Sequence, residues 1–127
     1  MGIVTKQSRL LKERMNNFKD SSSNLKKIRA HIKNENYSLI IPLANSMASW
    51  SAKMPDYFPA GSNTKPSQAA PKIWSDFEGF TTAARLNWKA TISLARAAKS
   101  GDRASVITAF KETAASCKSC HKTYRLK

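Results

Sequence analysis

The last eleven residues, CKSCHKTYRLK, hold both of the chain's cysteines and one of its two histidines. On a helix, Cys117 and Cys120 are i, i+3 and Cys117 and His121 are i, i+4, so the three side chains project from one face. Cys-x-x-Cys-His in that setting has a direct chemical reading: both thiols add to the vinyl groups of haem and the imidazole ligates the iron. The spacing suits the chemistry, because the vinyl carbons and the metal of a flat ring must be met from one side. Three other chemistries use the same residue types. A thioredoxin-like pair opens a helix after a strand, where the dipole lowers a thiol pKa; this pair lies at the far end of a helix with no strand before it. A zinc site needs a fourth ligand, and His31 is the one other histidine. A plain structural disulfide leaves His121 and the interior aromatics without a role.

The elements that must position this motif read as four helices. The first runs from about Thr5 to Ile32, with an apolar stripe of Leu11, Met15, Phe18, Leu25, Ile28 and Ile32, and with Ser22 at an inward position. The second runs from about Leu39 to Lys53, with Ser38 as its N-cap. Pro42 falls in its first turn, where a missing N–H costs little. Ile40, Leu43, Met47, Trp50 and Met54 form its stripe. Four of the five prolines then fall between Pro55 and Pro71, which marks one long loop that crosses the molecule or covers something. The third helix opens at Pro71 and stops at Ser100-Gly101; its inner face is Ile73, Phe77, Phe80, Ala84, Trp88, Thr91, Ala95 and Ala98. Asp102 caps the fourth, whose inner face is Val106, Phe110, Thr113, Cys117, His121 and Tyr124.

This pattern predicts one all-α domain over residues 1–127, an antiparallel four-helix bundle with haem attached near its C-terminus. The cysteine and histidine face continues the core stripe, so the motif points into the bundle. The aromatic content there suits a large flat apolar cofactor, with Trp74, Phe80 and Trp88 as its expected contacts.

Composition bounds the partners. The net charge is +14 and the sequence pI about 10.2, which excludes a basic partner and favours an acidic protein, nucleic acid or an anionic membrane surface. A solvated basic exterior accounts for the same charge, since Lys and Arg are spread along the whole chain. Nucleic acid is disfavoured, because no basic-aromatic motif is present. With a mean hydropathy of −0.49, no stretch approaches the roughly 20 apolar residues of a membrane helix. The N-terminus lacks the apolar core of a signal peptide.

Three segments carry a family resemblance: ERMNNF (Glu13 to Phe18), PKIWSDFEGF (Pro71 to Phe80) and FKETAASCKSCHKTYR (Phe110 to Arg125). Together they make the chain similar to cytochrome c′, a bacterial class of c-type cytochrome with haem near the C-terminus of a four-helix bundle. The resemblance implies one haem c per chain, with thioethers at Cys117 and Cys120 and His121 as proximal ligand. It implies that Arg125 acts on that imidazole, that Arg14 pairs with a haem propionate, and that Phe18 stands at the distal position. Low-spin relatives place a methionine there. Phe18 cannot ligate, and use of Met15 requires a slide of three residues, about 4.5 Å. Ser21 and Ser22 replace residues that are usually apolar in the family, which makes the distal side less dry.

The implied function is a non-enzymatic haem protein with five-coordinate, high-spin iron that binds NO and CO behind an aromatic lid. Distal polarity governs dioxygen binding, and the sequence offers no distal histidine. The alternative is an electron-transfer cytochrome, low-spin with a methionine sixth ligand and steered by its charge to an acidic redox partner. Haem attachment of this kind implies a periplasmic protein whose leader is absent from the chain. Resemblance also implies a homodimer, with Ile41, Ala44 and Ala48 on the second helix as candidate contact residues.

Overall fold

The computed structural model describes residues 6–126. In chain order its helices are α1 (Lys6–Lys33), α2 (Ile40–Lys53), the one-turn α3 (Lys72–Ser75), α4 (Phe77–Ser100) and α5 (Arg103–Tyr124). Short 3-10 turns at Tyr37–Leu39 and Met54–Tyr57 flank α2. The expected start at Thr5 lies outside the described residues.

Two core clusters set the topology. One gathers Ile28 and Ile32 from the end of α1, Ile40 and Ala44 from the start of α2, Leu94 and Ala98 from the end of α4, and Val106 from the start of α5. At the opposite end Trp50 and Met54 close α2, Phe80 and Ala84 open α4, and Tyr124 ends α5. Ends therefore meet starts around the ring α1–α2–α4–α5, so neighbouring long helices run antiparallel. The long loop contributes Phe58 to the second cluster, with Ile73 of α3 beside it.

Local chemistry fixes the ends. Gly101 closes α4 at φ 70°, the left-handed conformation that glycine adopts without strain. Asp102 then caps α5 by accepting the Ser105 N–H at 3.1 Å. The third helix is not continuous from Pro71 as the pattern predicts. Asp76 leaves helical geometry at φ −138°, ψ 59°, and its carboxylate accepts the Gly79 N–H at 3.1 Å. A new helix starts there. Ser38 does not cap α2; its flanking residue is Leu39, with no side-chain cap bond.

Three expectations are corrected on the first two helices. Met15 is 38% exposed, and Arg14 takes the inward place beside it at 1%. Ala44 and Ala48 are buried within the chain, because α2 is held between α1 and α4 and both of these flanks are covered. Ile41 packs partly buried against the same core. Ala44 and Ala48 are thus no contact surface, while Ile41 keeps part of its side chain exposed. Among the described residues, no helix is long and apolar enough to cross a membrane.

Candidate haem site

Between the clusters the four long helices leave a cavity of about 580 Å³, within the range of roughly 300–1,000 Å³ typical of ligand pockets. Its α1 wall is Phe18, Ser21, Ser22 and Leu25; α2 adds Met47 and Trp50, and the turn after it Met54. Opposite stand Ala83, Ala84 and Asn87 of α4, and Ala114, Cys117, Cys120 and His121 of α5. Three alanines on the far side keep that wall shallow. Lys118 and Lys122 stand at the cavity too, one residue after Cys117 and His121 respectively.

Helix α5 brings Cys117, Cys120 and His121 to the cavity, but only the cysteines are half-buried; His121, expected on the inner face, is exposed at the cavity edge, on the last turn of the helix. Both cysteines are free thiols. Burial pushes the Cys117 thiol up, against hydrogen bonds from Asn87 and Ser116 that pull it down. Burial, with Cys117 adding to it, pushes Cys120 up to about 11. Neither is the activated thiolate of a disulfide oxidoreductase. Desolvation lowers the His121 pKa, and the charge of Arg125 lowers it further, so its neutral, lone-pair-bearing form is favoured. Among the described residues, no group of three or more His, Cys, Asp or Glu is gathered as a metal-binding cluster, so the zinc reading finds no ligand set.

The end of α5 is tied down on both sides of the motif. Upstream, Asn87 Nδ2 donates to Ser116 Oγ at 2.8 Å and to Cys117 Sγ at 3.2 Å, while the Ser51 hydroxyl donates to Asn87 Oδ1. Downstream, Ala70 N–H donates to Tyr124 O at 2.9 Å and Leu126 N–H to Gln68 O at 2.7 Å. The Tyr124 hydroxyl reaches Asp76 Oδ2 at 3.1 Å. The loop thus clasps the C-terminus one turn beyond His121.

Phe18 faces the motif across the cavity. Its ring centroid is 6.5 Å from that of His121, 5.2 Å from Trp50 and 6.2 Å from Phe58. Met15, the sequence's rival for this position, is exposed and does not line the cavity. The thioethers that do line it belong to Met47 and Met54.

Arg14 sits one turn before Phe18, but its guanidinium is committed elsewhere. Nη1 donates to Tyr57 O at 3.0 Å and Ser62 Oγ at 2.9 Å; Nη2 donates to Ser62 O at 2.6 Å and Ser67 Oγ at 2.8 Å. Its carbon centre lies 4.2 Å above the Phe58 ring. Each terminal nitrogen has two N–H bonds, so all four are engaged. A cofactor carboxylate has access to Nε–H alone, or must displace one of these partners. Burial without a carboxylate counter-charge lowers the Arg14 pKa to about 10.

The three aromatics expected against the cofactor stand outside the cavity wall. Trp74 donates Nε1–H to Phe58 O and Pro59 O, both at 3.1 Å. Phe80 is packed among Phe58 at 4.7 Å, Tyr124 at 5.4 Å and Phe77 at 5.9 Å. Trp88 is 38% exposed; one residue along a helix is a turn of roughly 100°, and Asn87 takes the inward place. Arg125 is outside the wall and acts through its charge on His121. Sequence reasoning missed Asn87, whose one signal was a polar residue beside the inner stripe of α4. It read Met47, Trp50 and Met54 only as the apolar stripe of the second helix.

The profile of the Cytochrome C′ family matches residues 9–125. The chain belongs to the cytochrome c′ family. A cytochrome c-556 of Agrobacterium tumefaciens (strain B2A) is 51% identical over 74 residues, which is 58% of this chain and 58% of that protein. The chain thus spans little more than half the length of that curated relative. A crystal structure of cytochrome c′ from Thermochromatium tepidum superposes with a TM-score of 0.89 at 25% identity, covering 98% of this chain and 100% of that one. A nitric oxide complex of a mutant cytochrome c prime from Alcaligenes xylosoxidans gives 0.84 at 26% identity, covering 97% and 98%.

Cytochrome c′ membership brings its cofactor, a covalently bound haem c. The cavity fits that group. Its walls are mostly apolar, the far side is cut back to alanine, and two neutral thiols and an imidazole share one helix face.

Proposed function

We propose that this cytochrome c′ is a five-coordinate, high-spin haem protein that binds NO and CO and has no turnover of its own. In this reading Cys117 and Cys120 carry the thioethers, His121 ligates the iron, and the protein works in the periplasm. A haem held by these residues would supply the iron that takes the gas. The observation that carries the proposal is Phe18, 6.5 Å from His121 across the cavity and without a lone pair to offer.

The residues divide the work by chemistry. The hydrogen bonds of Asn87 and the loop's clasp on Tyr124 and Leu126 hold both ends of the motif in register. Arg125 disfavours a proton on His121, which keeps the lone pair available. Two stacked carbon contacts take roughly 7–8 Å. At 6.5 Å the Phe18 and His121 rings stand closer than that, so Phe18 must shift for a flat ring to lie between them and shift further for a ligand beyond it. That displacement lowers affinity for every distal ligand. Ser21 and Ser22 bring hydroxyl-bearing residues to the same wall.

Ligand titration of the haem-loaded protein tests the proposal. Phe18→Ala should bind CO faster and more tightly than the parent, because the ring no longer has to be moved. Unchanged association rates would mean that Phe18 does not cover the open face.

A further inference from the structure

One wall residue carries a feature that the lid function of Phe18 leaves unexplained. Trp50 is 3% exposed, and among the described residues its Nε1 is the one buried side-chain nitrogen or oxygen with no hydrogen-bond partner. Leaving a buried donor unsatisfied costs about 1–3 kcal/mol, and such groups commonly mark a function or a missing ligand. The chain can satisfy an indole where it needs to: Trp74 Nε1 has two carbonyl acceptors.

What surrounds Trp50 is aromatic. Phe18 meets it edge to face at 5.2 Å and 88°, and Tyr57 at 5.1 Å and 73°. An aromatic ring is at best a weak acceptor. Of the two rings, Phe18 lines the cavity and Tyr57 does not. Phe18 also faces His121, so it is the ring that an axial ligand must push aside. Trp50 is in edge-to-face contact with that ring and lines the same cavity.

We propose that Trp50 is the distal hydrogen-bond donor of this protein. Its N–H is covered while Phe18 is in place, and becomes available to the acceptor end of a small ligand when Phe18 yields. The proposal rests on the gas-binding reading of the same cavity and deepens it: the ligands favoured are small molecules with a strong terminal lone pair. Two acceptors are conceivable, the distal ligand and a haem carboxylate. Trp50 lines the cavity and packs on Phe18, the ring that faces His121, which favours the ligand.

The test uses the haem-loaded protein and Trp50→Phe, with CO and cyanide as probes. Cyanide affinity of the ferric variant should fall by roughly three- to tenfold, the scale of one hydrogen bond, while CO affinity of the ferrous variant changes less than about twofold. The infrared C–O stretch should rise in the variant. In the unsubstituted protein that stretch should shift on exchange from H2O to D2O, a readout that needs no substitution. Equal losses for both ligands would assign Trp50 a packing role and overturn the proposal. So would a C–O stretch insensitive to both the variant and D2O, the result expected if the indole serves a haem carboxylate. A parent protein that takes up neither ligand would refute the gas-binding reading itself, and this proposal with it; a parent that binds both while Trp50→Phe behaves identically would refute the donor alone.

Discussion

Replacing Arg14 by methionine keeps most of the stem volume and removes the fork that holds the loop. Of the four acceptors, Ser67 Oγ retains the Ala69 N–H at 3.0 Å, and the bond to Tyr57 O is only part-buried. The carbonyl and hydroxyl of Ser62, a residue with no exposure, would lose the donors that Arg14 supplies. At about 1–3 kcal/mol for each unsatisfied group, the loss is about 2–6 kcal/mol. Part of it is offset because no guanidinium then has to be desolvated without a counter-charge, a penalty of several kcal/mol before its hydrogen bonds are counted. The expected net loss is about 2–4 kcal/mol, which for a chain of this size lowers Tm by roughly 6–16 °C. Amide hydrogen exchange localises the effect. Protection of the Ser62 and Ser67 amides, which donate within the loop at 3.2 and 2.9 Å, should collapse, while amides in the middle of α4 persist. Arg14→Lys should fall between parent and Met, since one ammonium cannot reproduce the fork. A melting point at or above the parent's, with loop protection intact, would refute the claim that Arg14 organises the loop.

A Cβ on Gly79 would lie 2.2 Å from Asp76 Oδ2 and 2.6 Å from the Tyr124 hydroxyl. Gly79→Ala should therefore cost about 1–3 kcal/mol as an overpacking change, read by thermal melts, and a neutral result would mean that the cap and Tyr124 reorganise freely. Asp102 has its pKa lowered by hydrogen bonds from the Ser105 hydroxyl and N–H. Its contribution is present at neutral pH and is lost as pH falls through a folded value below 3.8; the stability of Asp102→Asn should lack that portion of the acid dependence, measured as denaturant midpoint against pH.

The helices and the haem motif were legible because both are local. Cys117, Cys120 and His121 share a face by spacing alone, and the four apolar stripes follow from periods of three and four. The places where the sequence misled are those where a distant segment overrides the local pattern. Met15 is the apolar residue and Arg14 the charged one, so periodicity puts Met15 inside. The order reverses because Ser62, Ser67 and the Tyr57 carbonyl meet the guanidinium from more than forty residues away. Trp88 looks like the inward residue of α4 until Ser51 and Ser116 supply partners for Asn87. Ala44 and Ala48 seem to be off the core stripe only while α2 is imagined with one covered face. The break at Asp76 was hidden for a different reason. An aspartate just before a helical run is a cap signal, but Asp76 lies inside an apolar pattern that reads as continuous helix.

The central claim, an iron held by His121 with Phe18 over an open face, is tested most directly by one absorption spectrum of the ferrous protein, taken before and after addition of CO. The account predicts the broad bands of high-spin, five-coordinate iron, converted to a CO adduct on addition of the gas. Sharp low-spin bands that resist CO, and that turn high-spin in Met47→Leu or Met54→Leu, would contradict it: one of the two thioethers in the cavity wall would then hold the sixth position, and the protein would be an electron carrier.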